Sequence, residues 1–576
     1  MRMNYRFLLM EIGVVTLLIG CVNPLPAPVV ESNSIPTTNP AGIGAVALGT
    51  DPGMLLAGKI VTMNDAGEVL TGARLWIRGG IIEAIVRAGE ALPAGAAGAR
   101  AVDTGGVIYP GLIDMHNHPE YALYPLMPIT RKFQDRYEWR YYDRDQIRRT
   151  WDPNIILNNA EYFNLGMDVG RYGEYMALAG GTTTLQGGGN SYRFVTASVL
   201  YGGRYYRPYA RSECLARNIE TTSVAGIQAY SHVDIGRDVT EWKKMHDDFA
   251  RGTIIVHLAE GTSSRMADEF RYLKTGGLLG PNLVVIHGVG LTDAQLQEMA
   301  AAGAKLVWSP LSNFLLYGKT ANVRVAREAG VLISLAPDWG PSGSKSVLGE
   351  LKVADLVNRW QLNSLFGDRE LVEMVTRNPA RALRWQQKLG QIGPGFLADL
   401  LVVDDREADS YRNIIAATEQ NIRLVMVRGE ALYGDTTQLS AARARPEGIE
   451  ETVVFKDGRR KSIVPDCPGI GMPYVSVVET RRRLQEALQF DAAYTARVVT
   501  REQIAKDLAR CNEPGPGDPA GADDARRMLS CRFGLPFEKT DLAPLTVPED
   551  LQYFPRLLAN PNIPDFLKAL PEYYKK

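Results

Sequence analysis

The chain has 576 residues, 45% hydrophobic and 22% charged, the proportions of an ordinary globular protein, so wholesale disorder is excluded. Its 64 Lys and Arg balance 65 Asp and Glu to a net charge of −1, which gives no electrostatic ground for a nucleic-acid partner. Five cysteines in so long a chain, with no Cys-x-x-Cys pair among them, cannot form a disulfide framework.

Residues 1–21 have the layout of an export signal. Arg2 and Arg6 precede an apolar run over 7–20, interrupted by Glu11 and ending before Cys21. The run is shorter than the roughly 20 apolar residues of a comfortable membrane span. Leu18-Ile19-Gly20-Cys21 resembles a bacterial lipobox, which implies lipidation at Cys21; a plain secretory signal is the alternative. Asn23, by resemblance to bacterial sorting signals, implies an anchor in the outer membrane facing the periplasm. Residues 22–53, rich in Pro, Ser, Thr, Asn and Ala, read as a flexible tether.

Short strands are predicted over 55–63, 73–77 and 81–86, and again over 398–403 and 422–427. Two β segments on either side of a long α/β region, 54–108 and 392–435, suggest one small sandwich built from both. Between them, over 109–391, strand-like and helical runs alternate. Strands are predicted at 180–185, 253–257, 283–287, 305–308 and 331–335, and helices at 293–302 and 370–377, the latter stopping before Pro379. Strands three and four have no clear place between residues 193 and 230. The fold class is therefore α/β, a (β/α)8 TIM-like barrel with the small sandwich attached. Residues 436–576 form a C-terminal extension with a helix at 480–489 and a proline-spaced end at 544–571. Cys467, Cys511 and Cys531 lie in it, and an oxidising compartment would let two of them pair without saying which.

Four of the six histidines stand where strands should end. His116 and His118 close the run 107–118, and an i, i+2 pair on an extended chain points both imidazoles to one side. His257 ends Thr-Ile-Ile-Val-His, with Glu260 three residues on; His287 ends Leu-Val-Val-Ile-His; Asp338 ends Ser-Leu-Ala-Pro-Asp. Carboxyl ends of barrel strands form one rim, where catalytic groups collect. Imidazoles and a carboxylate around one ion, with a place for water, describe a catalytic metal site.

The residues 111–118, Gly-Leu-Ile-Asp-Met-His-Asn-His, with His257-Leu-Ala-Glu260, His287, Ser309-Pro-Leu-Ser-Asn313 and Asp338, resemble the amidohydrolase superfamily, in its mononuclear, cytosine-deaminase-like branch. The likeness runs from about 54 to 434. It implies metal ligation by His116, His118, His257 and Asp338, and catalytic roles for Glu260 as proton shuttle, His287 as polarising or water-orienting group, with ligation in some states as the alternative, and Asp338 as base. Asp114 is expected to hold a ligand imidazole in its tautomer. No lysine lies between Lys132 and Lys243, so the bridging carboxylated lysine of binuclear relatives is not expected. One divalent ion follows, Zn ahead of Fe. Trp339, Asn313, Gln186 and Asn190 are candidate substrate contacts. Lys345 is expected to be solvated at a helix start, and His232 and His246 to be surface or loop residues.

The implied reaction is hydrolysis of a non-peptide C–N bond in a small planar, nitrogen-containing substrate, either deamination or opening of a cyclic amide. Displacement of halide or thiol by the same apparatus, and a non-catalytic surface-tethered binding lipoprotein, are the alternatives. Membrane association is expected through the lipid anchor, and homo-oligomerisation is left open.

Overall fold

The computed structural model describes residues 52–142, 149–158, 163, 165–186, 200–201, 204–205, 215–219, 230–234, 239–444, 447–465, 475–489 and 539–575. Cys21 and the signal segment, Asn190, Cys467, Cys511 and Cys531 lie outside the described residues. No helix among the described residues is long and apolar enough to cross a membrane.

Eight short strands run in barrel order: Leu112–Asp114, Thr182–Leu185, Arg217–Asn218, Tyr230–Asp234, Thr253–Leu258, Leu283–His287, Lys305–Trp308 and Leu332–Leu335. The first three pair in parallel, as do the last five. A parallel bridge between Asn117 and Asp338 joins the end of the last strand to that of the first. Val, Ile and Leu dominate the fifth and sixth strands, which are buried throughout, as a sheet covered on both faces requires.

The third strand escapes a hydrophobic reading because it is Arg217-Asn218. The Arg217 guanidinium is buried and clasps Asp399 through Nε at 3.1 Å and Nη2 at 3.0 Å, so a polar residue occupies a core position by being paired. The fourth strand begins at Tyr230 and holds His232, which therefore sits on the barrel rather than in a loop. His246 is exposed on the helix Val239–Arg251.

The expected single strand over 107–118 is divided. Residues to Pro110 belong to a long strand, Arg100–Pro110, outside the barrel, and Leu112 opens the first barrel strand. Gly111 makes the junction: a Cβ there would lie 2.2 Å from Thr183 Oγ1. The helix expected at 370–377 is likewise two, Asp368–Glu373 and Arg377–Ala382. Pro379 falls in the first turn of the second, where its missing N–H costs nothing.

The flanking segments build one nine-stranded sheet, in the order Glu450–Val454, Arg460–Ile463, Glu430–Asp435, Ile422–Val427, Leu400–Asp404, Arg100–Pro110, Met54–Val61, Val69–Arg78, Ile81–Val86. Leu400–Asp404 pairs antiparallel with Arg100–Pro110, so chain before and chain after the barrel meet there. Two strands come from beyond residue 435, so part of the C-terminal extension belongs to the sheet.

Candidate metal centre

The strand ends bring His116, His118, His257, His287 and Asp338 into one cluster. Ligand atoms of His116, His257 and His287 lie within 4.8 Å of one another, and so do those of His116, His118 and Asp338. Ring centroids are 4.7 Å apart for His116 and His257, and 5.0 Å for His116 and His118. Asp338 Oδ1 stands 2.9 Å from His116 Nε2 and 3.7 Å from His118 Nε2. All but His118 are buried.

The backbone is bent to achieve this. His287 and Asp338 both have positive φ, 70° and 74°, a conformation costing a side-chain-bearing residue about 1–2 kcal/mol. Bonds at the two strand ends hold it: Gly288 N–H to Leu258 O at 3.1 Å, Asp338 N–H to His116 O at 3.1 Å and His118 N–H to Asp338 O at 3.0 Å.

Burial raises the cost of charge on Asp338, but His116, His287 and His118 outweigh it and hold the carboxyl below its usual range. Burial, opposed by Asp338 and helped by His116, Arg136 and His118, pushes His287 down to about 3, so this ring is neutral at physiological pH. Burial pushes Glu260 up to about 7, opposed by Arg136, whose Nε lies 3.7 Å from Oε2. Glu260 Oε1 accepts from the Tyr317 hydroxyl at 2.7 Å, and Oε2 faces His287 Nε2 at 3.6 Å.

A second tier of side chains fixes the first. Trp308 Nε1 donates to Thr320 Oγ1 at 2.7 Å, Thr320 donates to Asn313 Oδ1 at 3.2 Å, and Asn313 Nδ2 donates to His287 Nδ1 at 3.0 Å. An indole N–H can only donate, and the chain of donors that follows puts the His287 proton on Nε2, facing Glu260. Ser312 donates to Asp338 Oδ2 at 2.6 Å, leaving Oδ1 toward the histidines.

Gln186 and Asn313, expected at the substrate, are buried behind histidines instead. Gln186 Oε1 lies 3.3 Å from His116 Nδ1 and accepts the Asn117 N–H at 3.0 Å. Asp114, expected behind a ligand imidazole, accepts the backbone N–H of His116 at 3.1 Å and the Asn117 amide at 2.6 Å. The carboxylate thus shapes the His-Asn-His turn, and Gln186 takes the imidazole. Lys345 is not solvated: it is buried in an ion pair with Asp550 at 2.9 Å.

Trp339 stands beside His118, with ring centroids 6.4 Å apart, in an aromatic wall with Tyr121 at 5.4 Å and Trp139 at 5.3 Å. Its Nε1 donates to Ser342. Arg136, Trp139 and Tyr317 are not among the residues to which the sequence points, and Ser312 is there only within Ser309-Pro-Leu-Ser-Asn313. Tyr317 follows Asn313 by four residues on the helix Pro310–Tyr317, a spacing that could have revealed it. Arg136 and Trp139 carry no periodic signal.

The donor set fits a divalent transition metal: borderline imidazole nitrogens and one carboxylate oxygen, buried and converging from separate strands. Tyr-Ser-His-Val-Asp, the fourth strand, contains no lysine.

The profile of the amidohydrolase family matches residues 212–432. A 5-methylthioadenosine/S-adenosylhomocysteine deaminase of Syntrophobacter fumaroxidans is 26% identical over 67% of this chain and 94% of its own length. The enzyme of the same name from Halobacterium salinarum is 33% identical, over 28% of this chain and 40% of its own length. The chain spans about half or less of the length of six further curated relatives that it matches. Among solved structures, zinc-bound adenosine deaminase from Xanthomonas campestris superposes with a TM-score of 0.50 at 18% identity, over 66% of this chain and 92% of that one. Zinc-bound atrazine chlorohydrolase from Arthrobacter aurescens gives 0.51 at 18% identity, over 66% and 95%. The strand-end histidines thus stand on a fold shared with these solved structures, and residues 212–432 of the chain match the amidohydrolase family.

Proposed function

We propose that the chain is a deaminase of a planar nitrogen heterocycle, acting with one divalent metal ion, zinc ahead of iron. The observation that carries this reading is the placement of Glu260 and the His287 Nε2–H side by side, 3.6 Å apart, against the cluster of His116, His118, His257 and Asp338. A pure binding site needs ligands; it does not need a buried acid whose pKa is lifted toward neutrality.

His116, His118, His257 and Asp338 would hold the ion. A divalent cation there supplies Lewis acidity and a water acidified to near neutral pH. The residues supply the rest. Asp338 accepts the proton released as water adds to the carbon bearing the amino group. Glu260 delivers a proton to the ring nitrogen beside that carbon. His287 donates its Nε2–H to the oxygen on which charge develops. Over the cycle C–NH2 and water become C=O and ammonia, and both carboxylates are restored. The wall of Trp339, Tyr121 and Trp139 offers flat apolar faces to a planar ring.

The curated relatives are deaminases of adenosine derivatives, so 6-aminopurine nucleosides head the substrate panel. Ammonia release from that panel, with metal content measured in parallel, tests the reading. About one zinc per chain with ammonia release is the expected result. Halide or thiol release without ammonia would transfer the reaction to another leaving group, and a chain that binds no metal would end the hydrolase reading.

The same proposal places the enzyme in the bacterial envelope, lipid-anchored at Cys21 and facing the periplasm. Replacing Cys21 by Ser should move the protein from the membrane fraction to the soluble periplasm. Equal recovery of both forms from the soluble fraction would exclude the anchor.

A further inference from the structure

The helix Pro310–Tyr317 reaches three separate groups of the site: Ser312 bonds Asp338, Asn313 bonds His287, and Tyr317 bonds Glu260. It is eight residues long, too short to hold its own position by helical cooperativity. Its last carbonyls need partners from outside the helix ladder. Gly318 N–H, in a left-handed turn, takes Phe314 O at 2.9 Å, and Phe133 N–H takes Leu316 O at 2.9 Å. Leu315 O is taken by the C-terminal extension. Asn562 Nδ2 donates to it at 2.9 Å and Asn560 Nδ2 at 3.3 Å.

The extension is anchored on both sides of these asparagines. Upstream, Lys345 is clamped between Pro544 O and Asp550, each at 2.9 Å, with both charged side chains 6% exposed, and Ala543 N–H bonds Leu123 O at 2.9 Å. Downstream, Phe566 packs edge-on against Phe314, centroids 6.0 Å apart, and Tyr573 bonds Asp355 and Arg359. Asn562 Nδ2 also bonds Arg131 O at 3.1 Å, in the segment leading to Arg136. Asn560 Oδ1 accepts the Asn562 N–H at 2.8 Å, which locks the pair to each other.

We propose that the C-terminal extension is a positioning element of the metal centre: Asn560 and Asn562, bonded to Leu315 O, fix the helix that aims Ser312, Asn313 and Tyr317 at Asp338, His287 and Glu260. The extension lies beyond residue 432, where the family match ends. The inference rests on the metal-dependent reading above. Neither asparagine touches the ligands, and both act through the helix.

The test uses the full chain with cobalt(II) in the site, whose visible ligand-field bands report the ligand geometry. Asn560→Ala/Asn562→Ala should fold and bind cobalt, because the ligands sit on the barrel strands. Its bands should shift or lose intensity as Asp338 loses its fixed Ser312 partner, and Asn562→Gln, which retains the donor, should restore part of the native spectrum. On a substrate that releases ammonia, kcat should fall at least tenfold with KM changed less than threefold. If the double variant is too unstable to isolate, Asn562→Ala alone serves with the same readouts. A folded variant with the native cobalt spectrum, or with unchanged kcat, would overturn the brace and leave the proposed function standing. A native protein that takes up no cobalt would overturn that function and the brace with it.

Discussion

Asn313 Nδ2 donates to His287 Nδ1 at 3.0 Å, and that contact determines what His287 can do. With Nδ1 occupied as an acceptor and the ring neutral by burial, Nε2 carries the proton and His287 enters the site as a donor. A metal ligand would need the lone pair that this proton occupies. Although its ring lies within reach of His116 and His257, His287 belongs with Glu260.

Replacing Asn313 by Asp should therefore be harmful although it keeps the shape. A carboxylate would accept from Nδ1, free the Nε2 lone pair and favour the charged ring. We expect metal content to be retained and turnover to fall by about 100-fold, the scale of a misplaced acid–base or oxyanion partner. Asn313→Asp with native turnover would contradict the tautomer.

Glu260→Gln should keep the metal and lose turnover, by a factor of about 1,000 or more, since glutamine is the same size and cannot shuttle a proton. Elemental analysis and ammonia release on one preparation check both halves.

Tyr317→Phe probes the same proton by pH. The phenol bonds the Glu260 carboxylate and lowers its pKa, working against burial, which sets it near 7. Without the phenol the pKa rises. Glu260 is needed protonated, so activity is present below that pKa and lost as pH climbs through it. The alkaline limb of kcat should accordingly move to higher pH in Tyr317→Phe. A limb that stays in place, or moves to lower pH, would remove Glu260 as the acid.

The parts of the site that a sequence reveals are those tied to strand periodicity. His257 and His287 each close an apolar run that can only be a buried strand, so their direction and company follow from the pattern. Asn313 was visible as a residue but not in its role, because a carboxamide looks alike whether it faces substrate or the back of an imidazole. Gln186 was misplaced for the same reason. Arg217 hid a whole strand, since its burial depends on Asp399, 182 positions away. Lys345 likewise became a core residue only because Asp550, in the extension, meets it. Long-range polar pairs leave no local trace, and they account for most of what was missed.

Gln186 offers a check on that misplacement. Its Oε1 sits 3.3 Å from His116 Nδ1, so Gln186→Ala should weaken metal binding about 10- to 100-fold, as loss of a partner behind a ligand imidazole does. Effects on KM should be small. A change confined to KM, with native metal affinity, would return Gln186 to the substrate pocket.

Glu350 supplies a stability prediction separate from turnover. It is buried, its Oε1 accepts the Leu311 N–H at 2.9 Å, and its other oxygen accepts from Ser344. Burial pushes its pKa up to about 8 from an ordinary 4.5. The folded state thus holds a proton that the unfolded chain releases between those values. By linkage, the unfolded chain binds fewer protons in that window, and stability falls as pH rises from about 4.5 to 8. Glu350→Gln can keep both contacts, with its carbonyl accepting from Leu311 and its amide donating to Ser344, and it carries no titrating group. In the metal-free protein we expect it to exceed the wild type by about 1–3 kcal/mol at pH 8, allowing for relaxation around the charge. The gap should shrink to well under about 1 kcal/mol by pH 4.5. Urea unfolding at the two pH values measures it, and a pH-independent difference would mean that Glu350 is ionised in the fold and compensated by its two donors.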